Sequence, residues 1–286
     1  MPELMKGHRW RDHKHKMTYP AWMEIKHDEI RCHVIVTPQG PVWPVQFMSF
    51  AGKPLHNLEG FAQNFRELAE NTGVLEFDVG FEANENFNDS YRWVRSSKGL
   101  PPELVGAPVK FLLFDLPESK VEFSARMTER HNVAVMALGC DFNTLYQPYG
   151  EWAHSEEDVE KAFTAARERG YEGLMVKRLN HLYERGKRSY GWLKVKPEDD
   201  GDGIIRKINQ AIALDGTPHE RAGSVTIEVE DGSEAQPHGI PHELAEDMWR
   251  NPAKYIGQWA EFKFMERDRQ GGYRHPTWGR LREAKA

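Results

Sequence analysis

Residues 22–36 read Trp22-Met23-Glu24-Ile25-Lys26-His27-Asp28-Glu29-Ile30-Arg31-Cys32-His33-Val34-Ile35-Val36. The flanks, 22–26 and 30–36, predict two strands, the second rich in β-branched Ile30, Val34, Ile35 and Val36. Between them lies a charged, tight turn. A lysine on such a turn, flanked by Asp28 and Arg31, can present its amine into a groove. A lysine amine has a free pKa of about 10.4 and is a poor nucleophile while protonated. Cationic neighbours or a metal would favour the neutral amine. Alone, Lys26-His27-Asp28-Glu29-Ile30-Arg31 is weak evidence, because charged residues crowd β-turns everywhere.

Working outward, residues 57–70 predict a helix, since Leu58, Phe61, Phe65, Leu68 and Ala69 recur at helical spacing. The apolar runs 74–82 and 109–116 predict core strands. Residues 155–169 predict a helix opened by Ser155 and Asp158 in the manner of a capping box, with Val159, Phe163 and Ala166 inward. Two strands follow, Gly173–Lys177 and Tyr190–Lys196. The stretch Pro197-Glu198-Asp199-Asp200-Gly201-Asp202-Gly203 has linker chemistry. Beyond it, strand-like segments 204–214, 224–230, 258–265 and 276–281 surround a helix-like segment 242–250. That pattern fits a small barrel of the OB type.

The chain has 286 residues, 39% hydrophobic and 29% charged, enough for two domains with sizeable cores. No apolar run is long enough for a transmembrane helix, and the basic N-terminus has no apolar stretch after it. The expected location is therefore cytoplasmic, with no membrane partner. Cys32 and Cys140 form neither a disulfide framework nor a zinc spacing. His13-x-His15 falls in what reads as a flexible basic tail, where solvated histidines are the simplest expectation. The formal charge is −6, so the protein cannot coat nucleic acid by bulk charge; binding would need local basic surfaces. Arg92, Arg95 and Lys98 supply one. Lys177, Arg178, Arg185, Lys187, Arg188, Lys194 and Lys196 supply another. The acidic runs at Glu156–Glu160 and Glu198–Asp202 read as solvated faces.

No P-loop, G-x-S-x-G elbow or dinucleotide fingerprint occurs. A nucleotide would have to be held by side chains. Glu172-Gly173-Leu174-Met175-Val176-Lys177 places a carboxylate before a buried strand that ends in lysine. In Trp192-Leu193-Lys194-Val195-Lys196 the two lysines alternate along a strand and so share a face. Their mutual repulsion suits a polyanion such as a nucleotide phosphate.

The specific signal is the order. K-x-D-E-x-R, an acidic strand, F-D-L-P, E-G-L-M-V-K and W-L-K-V-K-P follow one another at domain-scale spacing. This set resembles the covalent nucleotidyltransferase superfamily of DNA ligases, RNA ligases and mRNA capping enzymes, from about Trp22 to the C-terminus. Three stretches resemble the ATP-dependent DNA ligases, the small enzymes of tailed bacteriophages in particular. They are 172–205 with its Tyr183-Glu184-Arg185-Gly186-Lys187-Arg188-Ser189, then Pro252–Gly257, then Phe264-Met265-Glu266 with Arg274–Arg282.

The resemblance implies an α+β, two-domain architecture. A nucleotidyltransferase (adenylation) domain of antiparallel sheets and helices would span 1–197, a hinge 198–203 and an OB-fold domain 204–286. It implies that Lys26 attacks the α-phosphorus of ATP and carries AMP. Arg31 would contact the AMP ribose or the 5′-phosphate of a nick, Phe114 would stack on adenine, and Glu24 would read the adenine edge. Glu172 would bind magnesium, while Lys194 and Lys196 grip the α-phosphate. Asp78 would serve the ribose or the metal on the third motif, with Glu82 the competing choice. Arg92, Arg95, Lys177, Arg185, Lys187, Arg188, Arg280 and Arg282 would contact DNA phosphates. The sequence departs from the family pattern in two places. Phe77 stands where glycine is usual, and Arg282-Glu283-Ala284-Lys285 replaces the usual R-x-D-K, leaving Arg280, Arg282 and Lys285 to orient pyrophosphate.

The implied function is an ATP-dependent DNA ligase that seals nicks in duplex DNA as a monomer, with magnesium. The expectation is a minimal ligase, with no further DNA-binding domain before Trp22. Within the superfamily the alternative is an RNA ligase or another covalent nucleotidyltransferase such as a GTP-using capping enzyme. From another class it is a non-catalytic OB-type nucleic-acid-binding protein, which would leave Lys26, Glu172 and the Lys194/Lys196 pair without a reason.

Overall fold

The computed structural model describes residues 3–268 and 271–282. The chain divides into two compact units, residues 1–196 and 197–286. In chain order the first unit holds β1 (Lys6–Arg9), α1 (Trp10–His13), β2 (Ala21–Lys26), β3 (Ile30–Val36), β4 (Val45–Ser49), α2 (Ala62–Thr72), β5 (Glu76–Ala83), α3 (Phe87–Arg95), β6 (Val109–Asp115), α4 (Phe123–Gly139), β7 (Leu145–Tyr146), β8 (Gly150–Ala153), α5 (Glu156–Glu168), β9 (Gly173–Arg178) and β10 (Arg188–Val195). The second holds β11 (Asp199–Ile212), β12 (Pro218–Val229), β13 (Glu234–Ala235), α6 (His242–Arg250), α7 (Pro252–Tyr255), β14 (Trp259–Phe264) and β15 (Thr277–Leu281).

The first unit is built on two five-stranded sheets, ordered β1-β10-β9-β2-β8 and β4-β3-β5-β6-β7. Pairing is antiparallel except for β1 with β10 and β6 with β7. Strand β5 shows how alternation builds the site. Phe77, Val79 and Phe81 turn into the core that α2 and α4 cover with Phe65, Leu68, Val133 and Ala137. Asp78, Gly80 and Glu82 therefore share the opposite face. A second core joins Ala21, Met23, Val176 and Leu193 to Val159 and Ala166 of α5. That helix starts where the sequence predicts, with the Ser155 hydroxyl accepting the Asp158 amide at 3.2 Å.

Sequence and structure part in several places. The turn after Lys26 does not close a hairpin: β2 and β3 lie in different sheets. The three residues His27–Glu29 carry the chain from one sheet to the other, which opens a groove at the lysine. The N-terminus is not a tail. β1 pairs along β10, and Leu4 and Met5 are buried against Tyr183 and Trp192. The 198–203 stretch is not a linker either. β11 begins at Asp199 opposite Phe264. Its glycines mark close packing: a Cβ on Gly203 would lie 2.2 Å from the Glu228 carbonyl oxygen, and one on Gly201 2.6 Å from the Phe262 ring.

The second unit is a five-stranded sheet ordered β13-β12-β11-β14-β15, with Met248 of α6 packed on Ile205, Val225, Ile227 and Phe262. An isolated parallel bridge joins His238 to Thr277. Among the described residues no helix is long and apolar enough to cross a membrane. Cys32 is buried and Cys140 half-buried, both as free thiols.

Candidate active site

A cavity opens where the two sheets of the first unit face each other. It is lined by Glu24, Lys26 and His27 from β2 and its turn, Glu29 and Arg31 leading into β3, Phe114 from β6, Met175 and Lys177 from β9, and Trp192 and Lys194 from β10. Gly80 belongs to this wall through its missing side chain. A Cβ there would lie 2.3 Å from Glu29 Cγ and 2.6 Å from the Phe114 ring.

Lys26 ends β2 opposite Gly173, which brings the neighbouring Glu172 onto its ammonium. Nζ also donates to the His27 carbonyl at 3.2 Å. Burial alone would lower the Lys26 pKa. Glu29, Glu172 and Asp28 outweigh it and hold the pKa above the ordinary value. These carboxylates keep the proton on the amine. The other Glu172 oxygen holds Lys196. Burial opposes the Glu172 charge, but Lys26 and Lys196 keep its pKa below the usual range.

Lys194 is the cation the site leaves uncompensated. No carboxylate lies within ion-pair distance of it among the described residues. Burial, then Lys26, Arg31, Lys196 and Arg188, pull its pKa down to about 8. Trp192 adds a buried indole N–H with no hydrogen-bond partner among the described residues. A wall with a desolvated cation and an orphan donor fits an anionic, acceptor-rich ligand.

Beneath the cavity Glu24 is 2% exposed. Its carboxylate is held by Arg130, by Lys177 at 2.6 Å and by the Trp22 indole at 3.0 Å. Burial works against its charge, yet Arg130 and Lys177 prevail and keep it ionised. Lys177 also donates to the Phe114 carbonyl at 2.8 Å and lies 4.6 Å over the Trp192 ring. At 1% exposure it cannot contact a DNA backbone. The alternation of β9 turns it, like Met175, toward the cavity. Its pKa is drawn down to about 8 by burial and Arg130, against the pull of Glu24.

Asp78 is fully buried. Its oxygens accept from Arg31 Nε at 2.8 Å, Arg31 Nη2 at 2.6 Å and the Tyr183 hydroxyl at 2.7 Å. With both oxygens engaged, the carboxylate positions Arg31. Glu82 instead accepts from Lys110 and bonds His27 Nδ1, each at 3.0 Å. Among the described residues the only group of three or more His, Cys, Asp or Glu side chains close enough together for a metal is Glu3, His33 and Glu76. There Arg185 is already bonded to both glutamates, so Arg185 too is committed within the fold.

The remaining sequence candidates lie outside the cavity. Arg92 and Arg95 are exposed on α3, Arg92 paired with Glu103 and Arg95 5.7 Å over the Tyr91 ring. Lys187 and Arg188 are exposed where β10 begins. In the second unit, Arg280 and Arg282 both bond Glu261, and Arg282 also reaches Asp202 at 2.9 Å. Glu283 and Lys285 lie outside the described residues. Sequence reasoning missed Glu29, Arg130 and Trp192. Glu29 stood inside the quoted hexamer, and Trp192 opened W-L-K-V-K. Arg130 left no signal, being a charged residue on a helix the apolar spacing did not reveal.

Comparison with known proteins bears on the whole arrangement. Residues 98–196 match the family model of the ATP dependent DNA ligase domain. The DNA ligase of Enterobacteria phage T3 is 29% identical over 152 residues, 48% of this chain and 42% of that enzyme. The DNA ligase of Escherichia phage T7 is 39% identical over 70 residues, 22% of this chain and 19% of that enzyme. The matched stretches thus span less than half the length of these relatives. Among solved structures, a Lig E DNA ligase described as binding DNA with a minimal scaffold aligns with a TM-score of 0.72 at 20% identity, over 99% of this chain and 100% of that one. The bacteriophage T7 ATP-dependent DNA ligase in complex with ATP aligns with a TM-score of 0.58 at 18% identity, over 98% and 99%. These likenesses establish the fold.

Proposed function

We propose that this chain, which carries the ATP-dependent DNA ligase domain over residues 98–196, seals nicks in duplex DNA through an AMP borne on Lys26. The observation that carries the reading is one cavity lined by Lys26, Lys194, Phe114 and Trp192, with Glu172 held between Lys26 and Lys196.

In the first transfer the Lys26 amine, once deprotonated, attacks the α-phosphorus of ATP. A P–N bond forms and the P–O bond to pyrophosphate breaks. Lys194 and Lys196 offset the charge developing on the phosphoryl oxygens. Phe114 offers its face to adenine, and the ionised Glu24 lies at the base edge. Next, an oxygen of the nick's 5′-phosphate attacks the same phosphorus, forms the P–O–P linkage and releases the amine. Arg31, fixed by the two hydrogen bonds it donates to Asp78, contacts the ribose or this phosphate. Last, the 3′-hydroxyl attacks the 5′-phosphorus, the phosphodiester forms, AMP leaves and the hydroxyl proton passes to solvent. Positioning and charge neutralisation do this work.

The donors that would hold magnesium are Glu172 and Glu29, two carboxylates near enough that Glu172 helps raise the Glu29 pKa, after burial. Two hard oxygen donors completed by substrate phosphate fit that ion. When bound it would supply positive charge against the phosphates.

For residues 204–286 we infer an OB-type barrel. The strand order, α6 between β13 and β14, and the bridge from His238, just after β13, to Thr277 of β15 support it. Arg280 and Arg282 would trade Glu261 and Asp202 for phosphates. Arg92, Arg95, Lys187 and Arg188 supply duplex contacts. The test is sealing of a 5′-phosphorylated nicked DNA with ATP and magnesium, beside the same nick in RNA. Sealed DNA with little sealed RNA is expected. No product, or product from RNA alone, would contradict the reading.

A further inference from the structure

Lys6 begins β1 directly opposite Arg188 of β10. Its ammonium lies 3.9 Å from the centroid of Phe50, and the guanidinium of the cavity-lining Arg31 lies 5.8 Å from the same ring. Arg31 lies 5.4 Å from the ring of Trp192 as well. One aromatic side chain thus joins an N-terminal lysine to the wall of the active site. Of the three cations, Arg31 has Asp78 and Arg188 donates to the Gly7 carbonyl at 2.8 Å. Lys6 has no carboxylate within ion-pair distance among the described residues. Burial, then Arg188 and Arg31, lower its pKa. Three like charges gathered with one carboxylate repel each other, and a bound anion would relieve that. The ring face steadies the ammonium without neutralising it.

We propose that Lys6, seated on Phe50 and flanked by Arg31 and Arg188, binds the 5′-phosphate at the nick, separately from the Lys194/Lys196 pair that serves the nucleotide. The inference rests on the ligase reading and deepens it. ATP adenylation should then proceed without Lys6, whereas recognition of the phosphorylated end should need it. A lysine retained only for the fold would not discriminate between two ends that differ by one phosphate.

The experiment compares the parent chain with Lys6→Ala and Lys6→Arg. Each is charged with AMP, moved to magnesium-free buffer so that AMP stays on the chain, and titrated against two nicked duplexes by fluorescence anisotropy. One duplex carries a 5′-phosphate at the nick and the other a 5′-hydroxyl. The parent should prefer the phosphate. Lys6→Ala should lose that preference by about fivefold or more, while taking up AMP as the parent does, and Lys6→Arg should keep most of it. Equal preference in Lys6→Ala and parent overturns the proposal. So does loss of AMP uptake in Lys6→Ala with the preference intact. A parent that takes no AMP contradicts the ligase reading instead; the binding comparison then runs on the uncharged chain and still decides on Lys6.

Discussion

Lys26 and Lys194 face one cavity in opposite electrostatic conditions. Lys26 is ringed by Glu172, Glu29 and Asp28, whereas Lys194 meets burial and other cations. The first holds its proton until the carboxylates are drawn off. The second, at about 8, loses its charge as pH rises through that value. Its contribution to binding a triphosphate should therefore be present below pH 8 and fall away above it. Calorimetric titration of ATP between pH 6.5 and 9.5 should show affinity weakening by up to about tenfold per unit above pH 8. Lys194→Arg should flatten that limb, because a guanidinium stays charged. A limb equally steep in both proteins would remove Lys194 as its source. Much of this was legible in the sequence. Lys26 on a turn, Glu172 before a strand and two alternate lysines all follow from residue type and period. The buried partners were not. Nothing in the sequence says that Asp78 is spent on Arg31 and Tyr183, because those pairs are 47 and 105 residues apart.

Elements set these residues within reach of each other. β9 passes close to β10 because residue 173 has no side chain. A Cβ there would lie 2.0 Å from the Val195 carbonyl oxygen, a backbone atom that cannot yield. Gly173→Ala should cost ~1–3 kcal/mol in urea unfolding and weaken the hold on Glu172. A neutral result would mean the strands separate freely. On the same strand, Lys177→Met leaves buried Glu24 with Arg130 as its one cationic partner among the described residues. That change should destabilise the protein by about 3 kcal/mol, read by the same method. A stable Lys177→Met protein would show that Arg130 suffices. Helix α4 illustrates what the sequence concealed. It has 17 residues, yet Arg126 and Arg130 lie on its buried side among Phe123, Val133 and Ala137. Arg126 is fully buried against Asp115. Exposed Val135, Met136 and Leu138 blur the pattern from the other side. Charge inside and apolar residues outside defeat a periodicity argument, though the elements α2, α5 and α6 obey it. The acidic glycine run was misread for a related reason: glycine marks flexibility and close packing alike.

At the scale of the molecule, the two units have separate cores, one around Phe65, Phe77 and Phe111, the other around Ile205, Ile227 and Phe262. The net charge is −6. DNA binding by such a chain must rest on local cations, so affinity should fall linearly on a log–log plot against salt and vary little with sequence. Filter binding between 50 and 200 mM salt would test that, and a salt-independent affinity would count against a phosphate-led interface. The central claim is narrower and needs no DNA. The protein is first treated with pyrophosphate to strip any bound AMP. It is then incubated with ATP and magnesium, and its intact mass is compared with that of Lys26→Ala. A gain of one AMP in the parent and none in Lys26→Ala is the predicted result. No gain in the parent, or an equal gain in both, would contradict the account.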